Sequence, residues 1–271
     1  MPLRHSPIVV FILMLITALV GAQPALAAHP VAWWKFDEAP GTLQAADSIG
    51  THPGTLVDSA AFVTGGKAGN ALSLNANGVV KMGDNFRLTS GDFSIIAWIK
   101  TSSSEADCAI LGKSKEAVIA GYILDLNMTS YGSSGKVTFW QAQPAGSAVT
   151  STTVVNDGVW HQVAVSYHDN DVSGSTELYV DGAPVEAATL SSPIGADSTT
   201  EFLIGGYWGA QGQLRERFIG LVDQVQLYDD ALTSTDVQYQ FEHPPELAPE
   251  PATLSLLALG GLGALLRRWR R

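Results

Sequence analysis

The chain has 271 residues and a formal net charge of -11 at pH 7. Five of its 15 basic residues are Arg4 and four arginines at the C-terminus, so residues 28–251 hold 10 basic against 26 acidic residues, a net charge of -16. This balance excludes the broad basic patch that binding to nucleic acid or to an anionic lipid surface requires. Cys108 is the single cysteine, so no intrachain disulfide can form and stability must come from a buried core.

The first 27 residues have the pattern of a secretory signal peptide. Arg4 supplies a positive charge, residues 8–20 are apolar, and Ala25-Leu26-Ala27 fits the small-x-small rule for cleavage. We therefore assign residues 1–27 to a signal peptide and expect the protein to be exported.

Residues 31–228 contain short β-rich runs separated by Gly, Asn, Asp and Ser, without the period of a helix. The clearest strand is 93–100, in which Phe93, Ile95, Ala97 and Ile99 share one face. We predict further strands at 122–126, 137–140, 160–168, 177–181 and 218–228, a hairpin loop at 130–135 and a tight turn at Asp181-Gly182.

Many short strands in a domain of this length predict an all-β fold, a sandwich of two antiparallel sheets, because each strand has an apolar face that must be covered. Thr233 followed by Asp236 predicts one short capped helix. We place the domain at residues 28–240 and a proline-rich linker at 241–248.

Four sequence stretches occur in order along residues 31–240. They are 34–38 with 47–50, 93–100, 157–164 with 178–182, and 219–225 ahead of Tyr228. Together they resemble the LamG-like (laminin G-like) jelly-roll domain of the concanavalin A-like lectin/glucanase superfamily. The resemblance implies a two-sheet antiparallel jelly roll that binds carbohydrate or protein ligands, with bound calcium in many members, although fold alone does not fix function.

Asp223 is the most informative acidic residue of the last predicted strand. Two-residue alternation places it in phase with Leu221 and Val225 on the apolar face, where an ionised carboxylate needs a partner. The resemblance implies a calcium ion between the N-terminal region and the last strand, so we expect a structural Ca²⁺ held by Asp47 and Asp223, with Asp37 as a further ligand. The alternative is that Asp223 bonds to backbone N–H groups or lies at a bulge, and that Asp47 shapes a loop turn.

The Gly-rich segment 205–213 carries two aromatic residues, Tyr207 and Trp208, and is followed by Arg215. Aromatic faces beside a few polar groups suit a sugar, so we expect Trp208, Tyr207 and Arg215 to bind a ligand. The alternative is that Trp208 folds back onto the sheet edge. We assign three other tryptophans to the core: Trp34, Trp98 and Trp160.

The sequence shows no catalytic constellation. Retaining glycosidases need two carboxylates about 5 Å apart, as an alternating Glu-x-Asp-x-Glu strand would supply, and the nearest approach, Glu105-Ala106-Asp107, lacks a third acid. Trp160-His161 is expected to be a packing pair, and 169–174 a hairpin loop instead of a calcium-binding EF-hand. We therefore expect a protein that is not an enzyme.

The end of the chain combines three unlike elements. Pro249, Glu250 and Pro251 precede the uncharged residues 252–266, and four arginines follow: Arg267, Arg268, Arg270 and Arg271. Residues 249–271 resemble the PEP-CTERM sorting signal of Gram-negative bacteria that make extracellular polysaccharide, which implies processing by an exosortase-type membrane enzyme. A C-terminal hydrophobic helix of this length rises about 22 Å, less than the roughly 30 Å hydrocarbon core, so it is a marginal anchor. The alternative is an ordinary membrane anchor with its arginines on the cytoplasmic side.

These features predict an exported cell-surface or extracellular-matrix protein whose non-catalytic module binds carbohydrate or protein partners. The expected partners are the exosortase-type enzyme, an extracellular polysaccharide or surface glycan, and the inner membrane, which the tail contacts transiently. The alternatives are a glycoside hydrolase or lyase of the same superfamily, and a purely structural or adhesive module.

Overall fold

The computed structural model describes residues 28–75, 77–87, 91–115, 120–141, 147–169, 174–190 and 199–244. The expected signal peptide, 1–27, and sorting tail, 249–271, lie outside these residues. Strands make up most of the described chain and form two large antiparallel sheets that pack face to face. The predicted all-β sandwich is confirmed.

The first sheet joins strands from both ends of the domain. With strands numbered along the chain, its members are β1 (Ala32–Trp34), β4 (Ala61–Thr64), β5 (Asn70–Leu74), β7 (Phe93–Lys100), β12 (Trp160–Asp169), β13 (Gly174–Val180), β14 (Ala183–Leu190) and β18 (Gly220–Tyr228). In space they run β14-β13-β12-β7-β18-β5-β4, and β1 pairs with β18.

The second sheet holds the middle of the chain. Its members are β2 (Gln44–Ala45), β3 (Gly54–Val57), β6 (Val79–Lys81), β8 (Cys108–Lys115), β9 (Ala120–Leu126), β10 (Lys136–Gln141), β11 (Ser147–Val154), β15 (Leu203–Ile204), β16 (Tyr207–Trp208) and β17 (Leu214–Arg215). They run β11-β10-β9-β8-β15-β6-β3-β2, and β16 with β17 forms a hairpin attached to β8.

The main core lies between the two sheets, and β7 shows how alternation fills it. Phe93, Ile95, Ala97 and Ile99 all point into this core, as predicted. Ile96, on the opposite face of β7, lies in a second, smaller cluster on the outer face of the first sheet. Both faces of this central strand are therefore covered, which explains why every residue of β7 except Lys100 is buried.

Strand β18 contains a bulge that changes the face of its side chains. The register with β7 shifts between Asp223 and Gln226, and Gln224 has a φ of 49°. Before the bulge Val222 enters the core, and after it Val225 does. The alternation predicted for this strand is therefore wrong at its start, because the extra residue reverses the phase.

The bulge lies where the neighbour of β18 changes. Residues 220–222 pair with β5, whereas residues 225–227 pair with β1 along the same edge. Asp223 and Gln224 occupy the gap between these two partners, so their polar groups must be satisfied by side-chain bonds or by loops.

Two predicted hairpins are confirmed. Asp181 and Gly182 connect β13 to β14 with φ values of 52° and 77°, the two positive angles of a type I′ turn. Strands β9 and β10 pair around a loop that holds a short 3₁₀ helix, Thr129–Tyr131. Strands β12 and β13 also pair as a hairpin, although residues 170–173 of its loop lie outside the described residues.

Helix α1 (Ser234–Glu242) packs on the outer face of the first sheet. Thr233 and Asp236 form the predicted capping box, in which each side chain accepts from the backbone N–H of the other residue. Val237 is buried in the same cluster as Ala28, the first described residue. No helix in the described part of the chain has both the length and the apolar character needed to cross a membrane.

The three tryptophans assigned to the core have different positions. Trp34 lies in the main core, as predicted. Trp98 is buried on the outer face of the first sheet instead, where its ring stacks on Phe241 of α1 with centroids 5.6 Å apart. Lys67 Nζ lies 3.9 Å from the centroid of the Trp98 ring. Trp160 begins β12 and is only half-buried, because a strand end lacks neighbours on one side.

We expect Phe241→Ala to lower the free energy of unfolding by about 1–3 kcal/mol, because it removes the ring stacked on Trp98 and packed against Gly182. Urea unfolding of the full chain measures this loss. Gln238→Ala, an exposed change on the same helix, is the matched control and should shift stability by less than about 0.5 kcal/mol. Equal effects of the two variants would show that helix docking contributes little.

Candidate functional site

The β16–β17 hairpin attaches to the second sheet and projects its aromatic residues over the outer face. Within it Tyr207 pairs with Arg215 and Trp208 pairs with Leu214. The backbone is anchored to the sheet where Ala109 N–H donates to Glu216 O at 2.6 Å. The hairpin is entered through Gly205, whose φ is 93° and whose added Cβ would lie 2.7 Å from Leu74, so the sharp reversal requires glycine.

The three predicted ligand-binding residues of this hairpin differ in exposure. Tyr207 is only 7% exposed and donates from its hydroxyl to Glu216 Oε1 at 2.7 Å, so it lies between the hairpin and the second sheet. Trp208 is half-buried, with Lys81 Nζ 4.9 Å from its ring centroid. Arg215 is exposed. Trp208 and Arg215 are therefore the members of the set that a ligand can reach.

A cleft of about 640 Å³ lies beside the hairpin, between it and the start of β8. Glu105, Asp107 and Glu216 contribute acidic groups, and Arg215 and Arg217 contribute cations. A cleft lined by both charges can accept and donate hydrogen bonds to a hydroxyl-rich ligand.

Asp125 of β9, which the sequence analysis missed, lies among these acids. It is fully buried, and neither carboxyl oxygen has a hydrogen-bond partner among the described residues. Burial raises the pKa of Asp125 well above its ordinary value, and the nearby Glu216 and Asp107 raise it further. The backbone N–H of Cys108 lies close enough to offset part of the rise, although it does not meet the geometry of a hydrogen bond. The carboxyl group is therefore held towards its neutral form. The sequence signal was an acid between two leucines in a predicted strand.

The hydrogen-bonding capacity of the Asp47 carboxylate is met by nearby backbone N–H groups, most of them in its own loop. Its carboxylate accepts hydrogen bonds from the backbone N–H groups of Trp33, Ile49, Thr51 and His52, at 2.9–3.2 Å. Burial alone would raise the pKa of Asp47, but these four donors hold it below its ordinary value. The geometry is the loop turn that we considered as the alternative to a metal ligand.

Asp223 and Asp37 meet at a different place, the turn 66–70 that leads into β5. Asp223 Oδ2 accepts from Ala68 N–H at 3.1 Å, and Asp37 Oδ1 accepts from Asn70 N–H at 3.0 Å. Burial raises the pKa of Asp223 to about 7 despite the backbone donors Ala68, Gln224 and Lys67, and the Asp37 carboxylate adds to the rise. An added Cβ on Gly66 would lie 2.8 Å from Asp223 Oδ2, so this glycine keeps the space beside the carboxylate open.

The structure thus brings together two of the three predicted metal ligands, Asp37 and Asp223, and bonds Asp47 elsewhere. Among the described residues, no three His, Cys, Asp or Glu side chains are grouped closely enough to hold a metal ion. A metal at this turn would therefore need backbone carbonyl oxygens as its other ligands. Calcium binding stays a prediction.

The residues that invite a catalytic interpretation have structural roles. His161 Nδ1 bonds to Asp181 at 2.8 Å and Nε2 bonds to Asp157 at 3.1 Å. Burial alone would lower the pKa of His161, but these two carboxylates raise it above its ordinary value, so the ring clamps two turns together. Burial raises the pKa of the Cys108 thiol to about 12, which makes it unreactive at neutral pH.

Two family models match the chain. The laminin G-type model described as the concanavalin A-like lectin/glucanases superfamily matches residues 74–238, and the PEP-CTERM protein-sorting motif matches residues 247–271. A search of curated proteins finds no match. The first model covers more than half of the chain.

Solved structures support the same fold. Domain 4 of AbnA, a GH43 extracellular arabinanase from Geobacillus stearothermophilus, solved in complex with arabinotriose, has a TM-score of 0.62 and 21% identity over 78% of this chain and 98% of that chain. The binding domains of Paraclostridial Mosquitocidal Protein 1 and of botulinum neurotoxin DC, the latter with rat synaptotagmin II, have TM-scores of 0.57 and 13% identity over 80% and 79% of this chain. This chain spans about half of those two domains, 52% and 51%. Identities this low establish the fold alone.

We expect Asp125→Asn to raise the melting temperature of the full chain at neutral and alkaline pH. The folded pKa of Asp125 lies above the unfolded value, about 3.9, so the wild type loses stability as pH rises from that value towards the folded pKa, whereas an amide does not titrate. Calorimetry at about pH 5 and about pH 8 should show a larger gain at the higher pH.

Asp229→Asn is the matched control, since it makes the same charge change at an exposed position. If both variants gain equally, the cause is overall charge. If Asp125→Asn melts lower than the wild type at the higher pH, the buried carboxylate has a stabilising partner and the interpretation is wrong.

Proposed function

The chain belongs to the concanavalin A-like lectin/glucanases superfamily and carries a PEP-CTERM sorting motif, and from this premise we propose that it is a cell-surface or extracellular-matrix protein that binds a glycan without cleaving it. The sorting motif indicates an exported protein routed to the cell surface. The glycan is an extracellular polysaccharide or a surface glycan.

The observation that carries the proposal is the hairpin cleft on the outer face of the second sheet. The cleft offers an exposed guanidinium at Arg215 and acidic acceptors at Asp107 and Glu216. The same hairpin carries a half-exposed indole at Trp208, which lies outside the cleft lining. An aromatic ring packs against the apolar face of a sugar, and the charged groups bond to its hydroxyls. The similarity to an arabinanase domain solved with arabinotriose, along 98% of that domain, supports the same class of ligand.

The alternative, a glycoside hydrolase or lyase, has less support. Asp125 and Glu216 are two acids that lie near each other beside the hairpin. Asp125 is fully buried, so no substrate oxygen can reach it. On the same face of β9, its strand neighbours are Ile123 and Asn127 instead of further acids. Because domain 4 of a GH43 arabinanase has a similar fold, we include an assay for the release of reducing sugar.

The C-terminal tail, residues 249–271, supports a proposed route of export and processing. After removal of the signal peptide, residues 252–266 would hold the chain in the inner membrane until an exosortase-type enzyme processes it at Pro249-Glu250-Pro251. Helix α1 extends to Glu242, so a short proline-containing segment separates the folded domain from this motif. The processed protein then enters the cell envelope or the extracellular matrix.

Calcium is a second part of the proposal. Asp223 and Asp37 would hold the ion at the turn 66–70 together with backbone carbonyl oxygens, where it would stabilise a buried pair of carboxylates. Burial raises the pKa of Asp223 and the Asp37 carboxylate adds to the rise, so a bound cation would favour the ionised form of both groups. Asp47 would take part only by giving up hydrogen bonds to its own loop.

We expect Trp208→Ala to weaken glycan binding by roughly tenfold or more, because an aromatic anchor typically supplies more than about 1.4 kcal/mol. The full chain, purified in a zwitterionic detergent without a sugar headgroup, is applied to a glycan array. Tyr239→Ala removes a half-buried ring from α1, on the other sheet, and is the matched control. Unchanged binding by Trp208→Ala would remove the hairpin from the site, and release of reducing sugar would establish an enzyme.

We expect calcium at about 10 mM to raise the melting temperature of the full chain, relative to chelator, by roughly 5–10 °C. This follows from a dissociation constant near 10⁻⁴ M, typical of extracellular sites, which gives about 2.7 kcal/mol. Asp223→Asn should abolish the shift, whereas Asp47→Asn should keep it and lower both temperatures. A wild-type melting temperature that does not respond to calcium would eliminate the site.

A further inference from the structure

The outer face of the second sheet continues beyond the hairpin across β9, β10 and β11, where it carries an isolated tryptophan. Trp140 of β10 is half-buried and points away from the main core, opposite to its neighbour Phe139. We call this area the Trp140 face. Its members are Trp140, Ile123, Thr138, Ala148 and Thr150.

The strand register fixes what surrounds the indole. Trp140 pairs with Ile123 on one side and with Ala148 on the other. One step along the same face, Thr138 and Thr150 pair, and their hydroxyl oxygens lie 2.9 Å apart. The indole packs against Ile123 on one side, whereas the small side chain of Ala148 borders it on the other, so the ring is only half-buried.

The Trp140 face has the chemistry of a sugar surface. Its members carry no charged group, and the one acid on the same face of these strands, Asp125, is buried and held towards its neutral form. Lys136, two residues from Thr138 on the same face of β10, places one cation at the edge of this face. Thr138 is fully buried, so the hydroxyl that this face presents beside the ring is that of Thr150. A hydroxyl beside an aromatic ring suits a glycan, whereas a protein interface would combine apolar anchors with a charged rim.

Contacts join this face to the hairpin. Ile123 lies in one apolar cluster with Tyr207 of the hairpin and with Ala109, and Trp140 packs against that cluster. Tyr207 precedes Trp208 in β16. The Trp140 face and the proposed glycan site are therefore parts of one continuous surface.

The register also gives the distance between the two indoles. Trp140 pairs with Ile123, which pairs with Gly112 of β8. Trp208 pairs with Lys115, further along β8 and on its other side. With strands about 4.8 Å apart and a rise of about 3.3 Å per residue, the two tryptophan Cα atoms are separated by roughly 17 Å.

We infer that Trp140 is a second sugar-stacking position and that the ligand is an extended neutral glycan chain lying across the second sheet from Trp208 to Trp140. The inference rests on the proposed glycan binding at the hairpin. A separation of this size exceeds one sugar ring, so a short oligosaccharide can occupy one tryptophan while a polymer occupies both.

Affinity electrophoresis of the full chain in gels containing linear arabinan, xylan, mixed-linkage β-glucan or laminarin tests this inference, with the matching trisaccharides as competitors. Trp140→Ala should weaken retention by the polymer by roughly tenfold or more and leave trisaccharide binding at Trp208 unchanged. Trp140→Phe, which keeps a ring, should recover part of the retention. Tyr239→Ala is the control on the opposite sheet.

The outcomes separate the two proposals. If Trp208→Ala weakens retention and Trp140→Ala does not, the glycan site stands and the extended platform is wrong. If Trp140→Ala weakens trisaccharide and polymer binding equally, the two rings do not act as separate positions, and the inference fails. If the wild type binds no polysaccharide or trisaccharide of this panel, both proposals fail. Melting temperatures of each variant distinguish lost contacts from lost folding.

Discussion

Each strand of this protein has two faces, and only one of them can enter the core between the two sheets; the rest of the structure depends on what covers the other. On the first sheet the cover is helix α1, whose Phe241 lies on Trp98 and whose Val237 joins the small outer cluster. On the second sheet the cover is the β16–β17 hairpin, whose Tyr207 packs against Ala109 and Ile123 of the sheet. The hairpin covers only part of its sheet, and function is proposed where the cover ends.

Three buried or nearly buried carboxylates show three solutions to one electrostatic problem. Asp47 is ionised because four backbone N–H groups surround it. Asp223 fills the gap between two strands that share an edge of β18, and receives too few donors to hold its charge firmly. Asp125 receives no partner and is held towards its neutral form by burial and by neighbouring acids. The hydrogen bonds of Asp47 stabilise its loop, whereas the arrangement at Asp223 is the one for which we propose a bound cation.

The sequence predicts the parts of the fold that obey local rules. Alternation in 93–100, the Asp181-Gly182 turn and the Thr233 capping box all follow from short-range geometry, and the structure confirms them. The bulge in β18 was considered only as the alternative at Asp223, because Gln224 adopts a positive φ that no feature of its sequence announces. Trp98 was misplaced for a related reason: alternation separates two faces of a strand but cannot tell that a distant helix will bury the second one. Asp125 escaped notice because the acids that lie near it in the fold, Glu216 and Asp107, are distant from it in the sequence.

Ala28 and Val237 belong to one cluster on the outside of the first sheet. The two junctions that lead to the expected export segments therefore leave the domain from the same side. A membrane tether through the tail, as proposed, would therefore attach on the side of the domain opposite to the sheet that carries Trp208 and Trp140. Ligand capture would then be sterically compatible with tethering, so the domain would be ready to engage its polymer before release from the membrane.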